Sequence, residues 1–170
     1  MGAFSILMCK YSNNEDLVIG MPVSGRSPKY LNTIGMFVNT VALRTKPDGE
    51  KSVDEFLREI RDDSLAAIAN QNYPFGDLVR KLNIEVSGRN PLFDVMLAYQ
   101  DEAMTDIVFA DKKAELLPVP ITSSKCDITF NIMPRGNDVV LMAEYCTDLF
   151  KESTICRIIK SYKYIIEQMV

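Results

Sequence analysis

The sequence contains no histidine among its 170 residues. Without an imidazole, the chain cannot build a Ser-His-Asp or a Cys-His catalytic arrangement. It also lacks the side chain whose ordinary pKa lies closest to neutral pH and which most often transfers protons in enzymes. We therefore expect the chain to be inactive as a catalyst on its own.

Cysteine is also scarce. The four cysteines lie far apart and form no C-x-x-C pair; they are Cys9, Cys126, Cys146 and Cys156. This spacing predicts neither a disulfide framework nor a metal site, so we expect no bound metal and a reduced, cytoplasmic setting.

Positive charge and long apolar runs are lacking as well. The chain has 19 Lys and Arg against 23 Asp and Glu, a net charge of −4. No basic field is therefore available for nucleic acid or an anionic membrane. The apolar run at residues 3–9 is far shorter than the roughly 20 residues that cross a bilayer, and it lacks the positive flank of a signal peptide. We expect it to be the end of a buried helix, and neither a membrane nor a nucleic acid to be a partner.

The composition that remains is that of a globular protein. Apolar residues make up 47% and charged residues 25% of the chain, which excludes a disordered segment. A length of 170 residues predicts one domain with a sizeable core.

Two apolar runs, at residues 17–23 and 36–43, flank a turn-rich loop, which predicts two strands. Polar residues stand where burial is expected, and they are Ser24, Arg26, Asn39 and Thr40. An unpaired buried amide or hydroxyl costs about 1–3 kcal/mol. These groups must therefore bond to backbone, to a neighbour or to a ligand, and the sequence leaves the three alternatives open.

Three helices are predicted after these strands. Ser52 and Glu55 form a capping-box pattern at the start of a helix over residues 53–70. Its apolar face, which includes Phe56 and Leu57, is expected to lie on the sheet. Pro74 is suited to the first position of a short second helix. Residues 153–170 carry a broad apolar stripe that includes Ile166; a core-facing helix is favoured over a membrane-surface or partner-binding one.

Further strands are expected in the second half of the chain. Residues 93–100 are apolar on both faces, which predicts a central strand. Residues 107–110 and 115–119 are short strand candidates, the second at an edge because of its prolines. Residues 125–133 and 138–145 predict a hairpin across residues 134–137. Its polar side chains, Asp127, Thr129 and Asn131, either meet solvent or line a cavity.

The element order predicts an α/β two-layer sandwich. Several stretches then resemble, in order, the carboxy-terminal half of a nonribosomal peptide synthetase condensation domain. They are Gly-Met-Pro-Val-Ser-Gly-Arg at 20–26, Ile-Gly-Met-Phe-Val-Asn-Thr at 34–40, Asn-Gln-Asn-Tyr-Pro-Phe at 70–75, Gly-Arg-Asn-Pro-Leu-Phe at 88–93, Lys-Cys-Asp-Ile-Thr at 125–129 and Tyr-Cys-Thr-Asp-Leu-Phe at 145–150. The chain departs from the family at Asn70, where histidine is usual, and at Gly76, where glutamate is usual.

The resemblance implies a lobe of chloramphenicol acetyltransferase-like fold, with a mixed sheet covered by helices. Residues 1–170 would be one globular unit cut from a larger multidomain chain, with the family's His-His-x-x-x-Asp-Gly motif in the amino-terminal lobe. In such a parent, two carrier domains deliver 4'-phosphopantetheine arms into the cleft between the lobes, where an amine attacks a thioester. The implied partners are the amino-terminal lobe, donor and acceptor peptidyl carrier domains and an adjacent adenylation domain, with no cofactor bound directly by this chain.

The resemblance also indicates which residues belong to the site. Those expected to face the cleft are Ser24, Arg26, Asn39, Thr40, Gln71 and Phe75. Those expected to carry motif structure are Gly25, Gly35, Arg44, Pro74, Arg89 and Pro91.

Several of these residues have alternatives. Arg26 and Arg44 are expected to orient strands or to meet a pantetheine phosphate, and Arg89 to make a structural ion pair or to cap carbonyls. Gln71 and Phe75 could instead form a corner between two helices.

Two other functional interpretations remain open at this point. The chain could be a lobe of a related epimerisation or heterocyclisation domain, although Phe-Val-Asn-Thr at 37–40 favours condensation over epimerisation. It could also be a non-catalytic, carrier-binding module.

Overall fold

A five-stranded mixed sheet forms the scaffold of the computed structural model, which describes residues 1–85, 88–100, 108–113 and 123–170. The helices are α1 (Gly2–Ser12), α2 (Val53–Ala69), α3 (Phe75–Lys81) and α4 (Glu152–Met169). The sheet strands are β1 (Leu17–Ser24), β2 (Val38–Thr45), β3 (Val95–Tyr99), β6 (Ile128–Arg135) and β7 (Asp138–Tyr145). A separate short ribbon pairs β4 (Val108–Phe109) with β5 (Lys112–Lys113).

The strand order is β2-β1-β3-β6-β7. β1 is antiparallel to β2, β3 is parallel to both β1 and β6, and β6 is antiparallel to β7. The prediction that residues 93–100 contain a central strand is confirmed. The predicted α/β class with a mixed sheet is confirmed as well.

One face of the sheet packs against α1 and α4. The rings of Phe4, Phe130 and Tyr162 meet at its centre, with centroids 5.1–6.2 Å apart. Phe4 and Phe130 are completely buried. The apolar run near the amino terminus is therefore part of a buried helix, as predicted.

α2 begins with the predicted capping box. Ser52 Oγ accepts a hydrogen bond from the Glu55 N–H, and the Glu55 carboxylate accepts one from the Ser52 N–H. Only part of the predicted apolar face is buried, because Leu57 remains 40% exposed while Phe56 is 4% exposed. α2 packs on β2, which is an edge strand of the sheet and covers less of a helix than a central strand does. In α4, too, the predicted apolar stripe is only partly buried, since Ile166 is 40% exposed.

The opposite face of the sheet carries a second, smaller cluster. A Cβ atom added to Gly20 would lie 2.3 Å from the ring of Phe93. Gly20 alternates along β1 with Ile19, which is buried in the helical layer, so the Phe93 ring lies on the other face. Phe75, the first residue of α3, packs on that ring at 5.7 Å. The chain therefore passes around the β2 edge between α2 and α3.

Two local predictions need correction. Pro74 caps α3 and is not its first residue: its backbone is extended, with φ −64° and ψ 134°, and its carbonyl accepts from the Asp77 and Leu78 N–H groups. The β6–β7 turn contains two residues rather than four, since pairing continues to Arg135 and Asp138.

Pro134 lies inside β6 without loss of a ladder bond. The pair next to a two-residue turn is hydrogen-bonded, so the following pair, Pro134 with Val139, is of the non-hydrogen-bonded kind. The Pro134 nitrogen then faces the side of β3, where pairing has already ended at Ile132.

Only some of the predictions for the region between β3 and β6 fall on residues that the structure describes. The candidate strand at residues 107–110 corresponds to β4, whereas β5 was not predicted. The candidate strand at 115–119 lies outside the described residues. Among the residues that are described, no helix combines the length and apolarity required to cross a membrane.

Replacing Gly20 by alanine should destabilise the fold, because the new methyl group would overlap the Phe93 ring. We expect Gly20→Ala to lower the free energy of unfolding by about 1–3 kcal/mol, the usual cost of overpacking, as measured by urea denaturation. Phe93→Leu in the same chain should recover part of the loss. The control is Gly76→Ala in α3, where nothing lies within 4 Å of the added Cβ. Equal stability of the Gly20→Ala and Gly76→Ala variants would contradict this packing.

Candidate functional site

The candidate residues of the first strand pair gather where β1 ends and β2 begins. Ser24 lies opposite Val38, and Thr40 lies opposite Pro22. Ser24 and Thr40 therefore share the face of the sheet that also holds Gly20 and Phe93. Ser24 is exposed and Thr40 is half-buried.

Arg26 holds the loop between β1 and β2. Its guanidinium donates to the carbonyls of Tyr30 at 2.8 Å, Thr33 at 2.5 Å and Gly35 at 3.0 Å. It also lies 4.1 Å from the centroid of the Phe37 ring, a cation–π contact. Of the two predicted roles, this geometry describes the orienting one; a contact with a phosphate stays a prediction.

The loop is closed at its base by a backbone bond. The Gly25 N–H donates to the Phe37 carbonyl at 3.0 Å. A Cβ on residue 25 would lie 2.5 Å from that same oxygen, which explains why glycine occupies this position. Tyr30 stacks on Phe37 with centroids 5.5 Å apart. The loop is thus internally bonded rather than loosely exposed.

Asn39 points to the other face of the sheet, toward the turn that follows α2. Its Nδ2 donates to the Gln71 carbonyl at 2.6 Å and to the Tyr73 carbonyl at 3.1 Å. Its Oδ1 accepts from the Thr40 N–H at 2.9 Å. The sequence left backbone, a neighbouring side chain or a ligand open as partners of Asn39, and in the structure its amide bonds to backbone groups. Both amide protons are engaged here, and a cleft-facing role for Asn39 stays a prediction.

The turn between α2 and α3 provides the acceptors for Asn39. Gln71 contributes its backbone carbonyl, while Phe75 packs on Phe93. These contacts make the segment a corner that joins β2 to α3. The structure thus describes the helix-corner alternative, and the cleft-facing role of Gln71 and Phe75 stays a prediction.

Arg44 does not belong to this cluster. It lies four residues beyond Thr40 on β2, about 13 Å away at the rise of a strand. Its guanidinium donates twice to the Asp16 carboxylate, at 2.7 and 2.5 Å, and Lys46 Nζ lies 3.3 Å from the same group. The hydrogen bonds from Arg44 hold the pKa of Asp16 far below its usual range and raise the pKa of Arg44. Arg44 therefore anchors the far end of the strand pair.

Arg89 makes the predicted structural ion pair. It donates to Asp94 at 3.0 Å and to Asp127 at 2.5 Å, which ties the segment before β3 to the segment before β6. Next to it, Asn90 Oδ1 accepts from the Leu92 and Phe93 N–H groups at 3.1 and 3.2 Å. This turn spans Pro91 and aims the Phe93 ring.

Three residues of these contacts were not predicted from the sequence: the ion-pair partners Asp16 and Asp94, and the turn residue Asn90. An asparagine followed by proline was an available turn signal for Asn90. No comparable signal marks the two aspartates, because their partners lie on other elements.

The sequence left open whether the polar side chains of β6 meet solvent or line a cavity, and Thr129 and Asn131 differ in this respect. Thr129 is buried, and its hydroxyl bonds to the Cys126 thiol, whose pKa is raised mainly by burial. Asn131 instead lines an open groove of about 610 Å³ together with Ser124, Met142 and Glu144. Within the described ranges, no three His, Cys, Asp or Glu side chains are close enough to hold a metal ion.

Removing the Asn39 amide should detach the α2–α3 corner from β2. We expect Asn39→Ala to lower the free energy of unfolding by about 1–3 kcal/mol, because the part-buried bond to the Gln71 carbonyl and the exposed bond to the Tyr73 carbonyl are both lost. Asn39→Asp should cost more at neutral pH, since a carboxylate would face both carbonyls. Urea denaturation provides the measurement, with Asn32→Ala in the exposed part of the loop as the control. The contact is not structural if Asn39→Ala and Asn32→Ala unfold at the same urea concentration.

The Asp16 pair should make stability depend on pH in a defined direction. Because the pKa of Asp16 is lowered in the folded chain, the pair stabilises the fold above the unfolded pKa of about 3.9 and is lost as pH falls toward the folded pKa. Melting curves of the wild type and Asp16→Asn should therefore differ at pH 7, and the difference should shrink progressively as the pH falls from about 3.9 toward the folded pKa. The difference should also shrink in about 1 M salt, because both side chains are partly exposed. A difference independent of pH would contradict the assignment.

Comparisons with known proteins agree on one family. A condensation domain family model matches residues 1–170. The chain is 39% identical over 171 residues to bacitracin synthase 1 of Bacillus licheniformis, covering 99% of this chain and 3% of that protein. It is 38% identical over 174 residues to tyrocidine synthase 2 of Brevibacillus parabrevis, covering 98% of this chain and 5% of that protein. The chain thus spans only a small part of the relatives it matches.

Solved structures show the same fold. A four-domain nonribosomal peptide synthetase, holo-AB3403 bound to AMP and glycine, superposes with a TM-score of 0.87 at 23% identity, over 99% of this chain and 14% of that one. The condensation domain of the Monacolin K polyketide synthase MokA superposes with a TM-score of 0.82 at 19% identity, over 98% of this chain and 39% of that one. The X-domain from teicoplanin biosynthesis superposes with a TM-score of 0.86 at 22% identity, over 98% of this chain and 39% of that one. The predicted chloramphenicol acetyltransferase-like fold is confirmed.

Proposed function

The chain belongs to the condensation domain family, and from this premise we propose that it is the carboxy-terminal lobe of a domain that joins carrier-bound aminoacyl or peptidyl groups. The acceptor amine attacks the donor thioester, a C–N bond forms, and the carrier thiol leaves as the C–S bond breaks. The thioesters are carried on 4'-phosphopantetheine arms of donor and acceptor carrier domains, in a cytoplasmic synthetase that also holds an adenylation domain.

One observation carries the assignment to a lobe. A superposition over 98% of this chain accounts for only 39% of the MokA condensation domain chain. A histidine-free sequence that accounts for about two-fifths of such a domain fits a piece that forms one wall and leaves proton transfer to the other piece. This chain is accordingly proposed to be inactive alone.

Within the wall, Ser24 is the side chain we place at the cleft. It is exposed at the end of β1, on the face that holds Thr40 and the Phe75–Phe93 pair. Arg26 and Asn39 act as positioning residues, because their hydrogen bonds run to the backbone on either side of this strand end. They keep the end of β1 in place while Ser24 presents its hydroxyl.

The test uses the intact parent domain with carrier-loaded substrates. We expect amide-bond formation by the parent and none by the 170-residue chain. Ser24→Phe should reduce kcat/KM by at least about tenfold, equivalent to about 1.4 kcal/mol of transition-state stabilisation, with little change in melting temperature since the residue is exposed. The matched control is Ser153→Phe, an exposed serine of α4 in the helical layer. Turnover by the isolated chain, or full activity of Ser24→Phe, would refute the proposal.

A further inference from the structure

The open groove beside β6 and β7, which we call the hairpin groove, has a volume of about 610 Å³. Pockets that bind small ligands usually measure roughly 300–1,000 Å³. Its lining combines Asn131 of β6 with Met142 and Glu144 of β7, and the segment after β7 adds Thr147 and Asp148. The hairpin groove is therefore large enough, and polar enough, to hold part of a substrate.

The hairpin groove lies on the same face of the sheet as Ser24. In the strand register, Gly20 lies beside Met96, and Met96 lies beside Thr129. Thr129 in turn lies opposite Glu144. Side chains of residues paired in this way point to one face of a sheet, and every second residue of a strand does the same. Glu144 and Ser24 therefore point to the same side of the molecule.

The strand register also gives the distance of the hairpin groove from Ser24. Neighbouring strands lie about 4.8 Å apart, and each residue advances a strand by about 3.3 Å. Asn131 lies two strands from β1, and its Cα is about 12 Å from that of Ser24 at this spacing. Glu144 lies three strands from β1 and further from its end, about 20 Å from Ser24. The hairpin groove thus covers a region well beyond the residue that reacts at Ser24.

A carboxylate without a cationic partner lies in the hairpin groove. Glu144 is half-buried, and Asp148 is exposed. In the part of the chain that the structure describes, neither carboxylate makes a hydrogen bond or an ion pair. The hydroxyl of Thr129, directly opposite Glu144, bonds to the Cys126 thiol instead. Because a half-buried charge is stabilised by a partner of opposite sign, Glu144 favours a cationic ligand.

The neighbouring sequence supplies no cation for this carboxylate. Residues 136–150 contain no Lys and no Arg, and neither do residues 101–107 or 114–122. Arg89 is already shared between two aspartates. The group complementary to Glu144 is therefore an ammonium or guanidinium group brought by the substrate.

We propose that the hairpin groove binds upstream residues of a peptidyl donor and that Glu144 selects a cationic side chain there. This inference rests on the proposed function, in which the donor thioester reacts beside Ser24. An extended peptide advances about 3.3 Å per residue, so it spans the 12–20 Å to the hairpin groove after about four to six residues. The residue joined to the thioester lies too close to Ser24 to make this contact.

The test compares donor peptides in the intact parent domain. Six-residue donors on the donor carrier hold one lysine, or its uncharged isostere norleucine, at each position in turn. At one of the fourth to sixth positions from the thioester, we expect lysine to raise kcat/KM over norleucine by at least about tenfold, as a charge-assisted hydrogen bond does. At the first position we expect a difference of less than about twofold.

Two variants assign the preference to one side chain. Glu144→Gln should remove the preference for lysine, because the neutral amide keeps the shape and loses the charge. Glu144→Lys should replace it with a preference for glutamate at the same donor position. The matched control is Glu167→Gln, which alters an exposed glutamate of α4 in the helical layer and should retain the preference for lysine.

Equal amide-bond formation from lysine and norleucine donors at every position would overturn the inference and leave the proposed function standing. A preference for lysine that survives Glu144→Gln, or that is confined to the first position, would also overturn it. Calorimetric binding of the same peptides as pantetheine thioesters requires no turnover. A parent that binds the lysine peptide more tightly through Glu144, yet forms no amide bond, would refute the proposed function and support the groove assignment.

Discussion

The structure depends on the burial of three aromatic rings contributed by distant parts of the chain. Phe4 of α1, Phe130 of β6 and Tyr162 of α4 meet edge to face or tilted, and each ring removes a large apolar area from water. Burial also raises the pKa of the Tyr162 hydroxyl. This contact joins the first and last helices to one face of β3 and β6. The opposite face is left for the smaller Phe75–Phe93 cluster, and the end of β1 projects beside it.

Features that depend on neighbouring residues could be predicted from the sequence. The Ser52–Glu55 capping box and the β6–β7 hairpin are of this kind, since each is formed by residues close in the chain. Periodicity identified the buried side of α2 and α4, but it carries no information on how far a facing sheet extends. Leu57 and Ile166 therefore remain 40% exposed. Among the described residues, the buried side-chain polar atom without a hydrogen-bond partner is Thr45 Oγ1. It lies at the end of β2, and no sequence pattern predicted it.

The candidate site could be predicted in position but not in bonding. The resemblance selected the polar residues around the β1 end, and the structure brings Ser24 and Thr40 to one face. The hydrogen bonds of Asn39 could not be foreseen, because their acceptors lie 32 and 34 residues away in sequence. Asp16, which accepts two hydrogen bonds from Arg44, could not be predicted for the same reason, because it lies 28 residues away in sequence. Such pairings follow from the fold, and the fold follows from the core.

The internally bonded loop between Gly25 and Phe37 has a consequence for how this surface can change. Its ends meet, and its inward groups satisfy one another, as in compact loops that fold around their own side chains. The exposed aliphatic side chains of the loop, such as those of Ile34 and Met36, make no hydrogen bond and so take no part in this internal bonding. Sequence drift at those outward positions is therefore uncoupled from folding of the sheet. The chemistry of this surface can therefore change one residue at a time while the scaffold beneath stays the same.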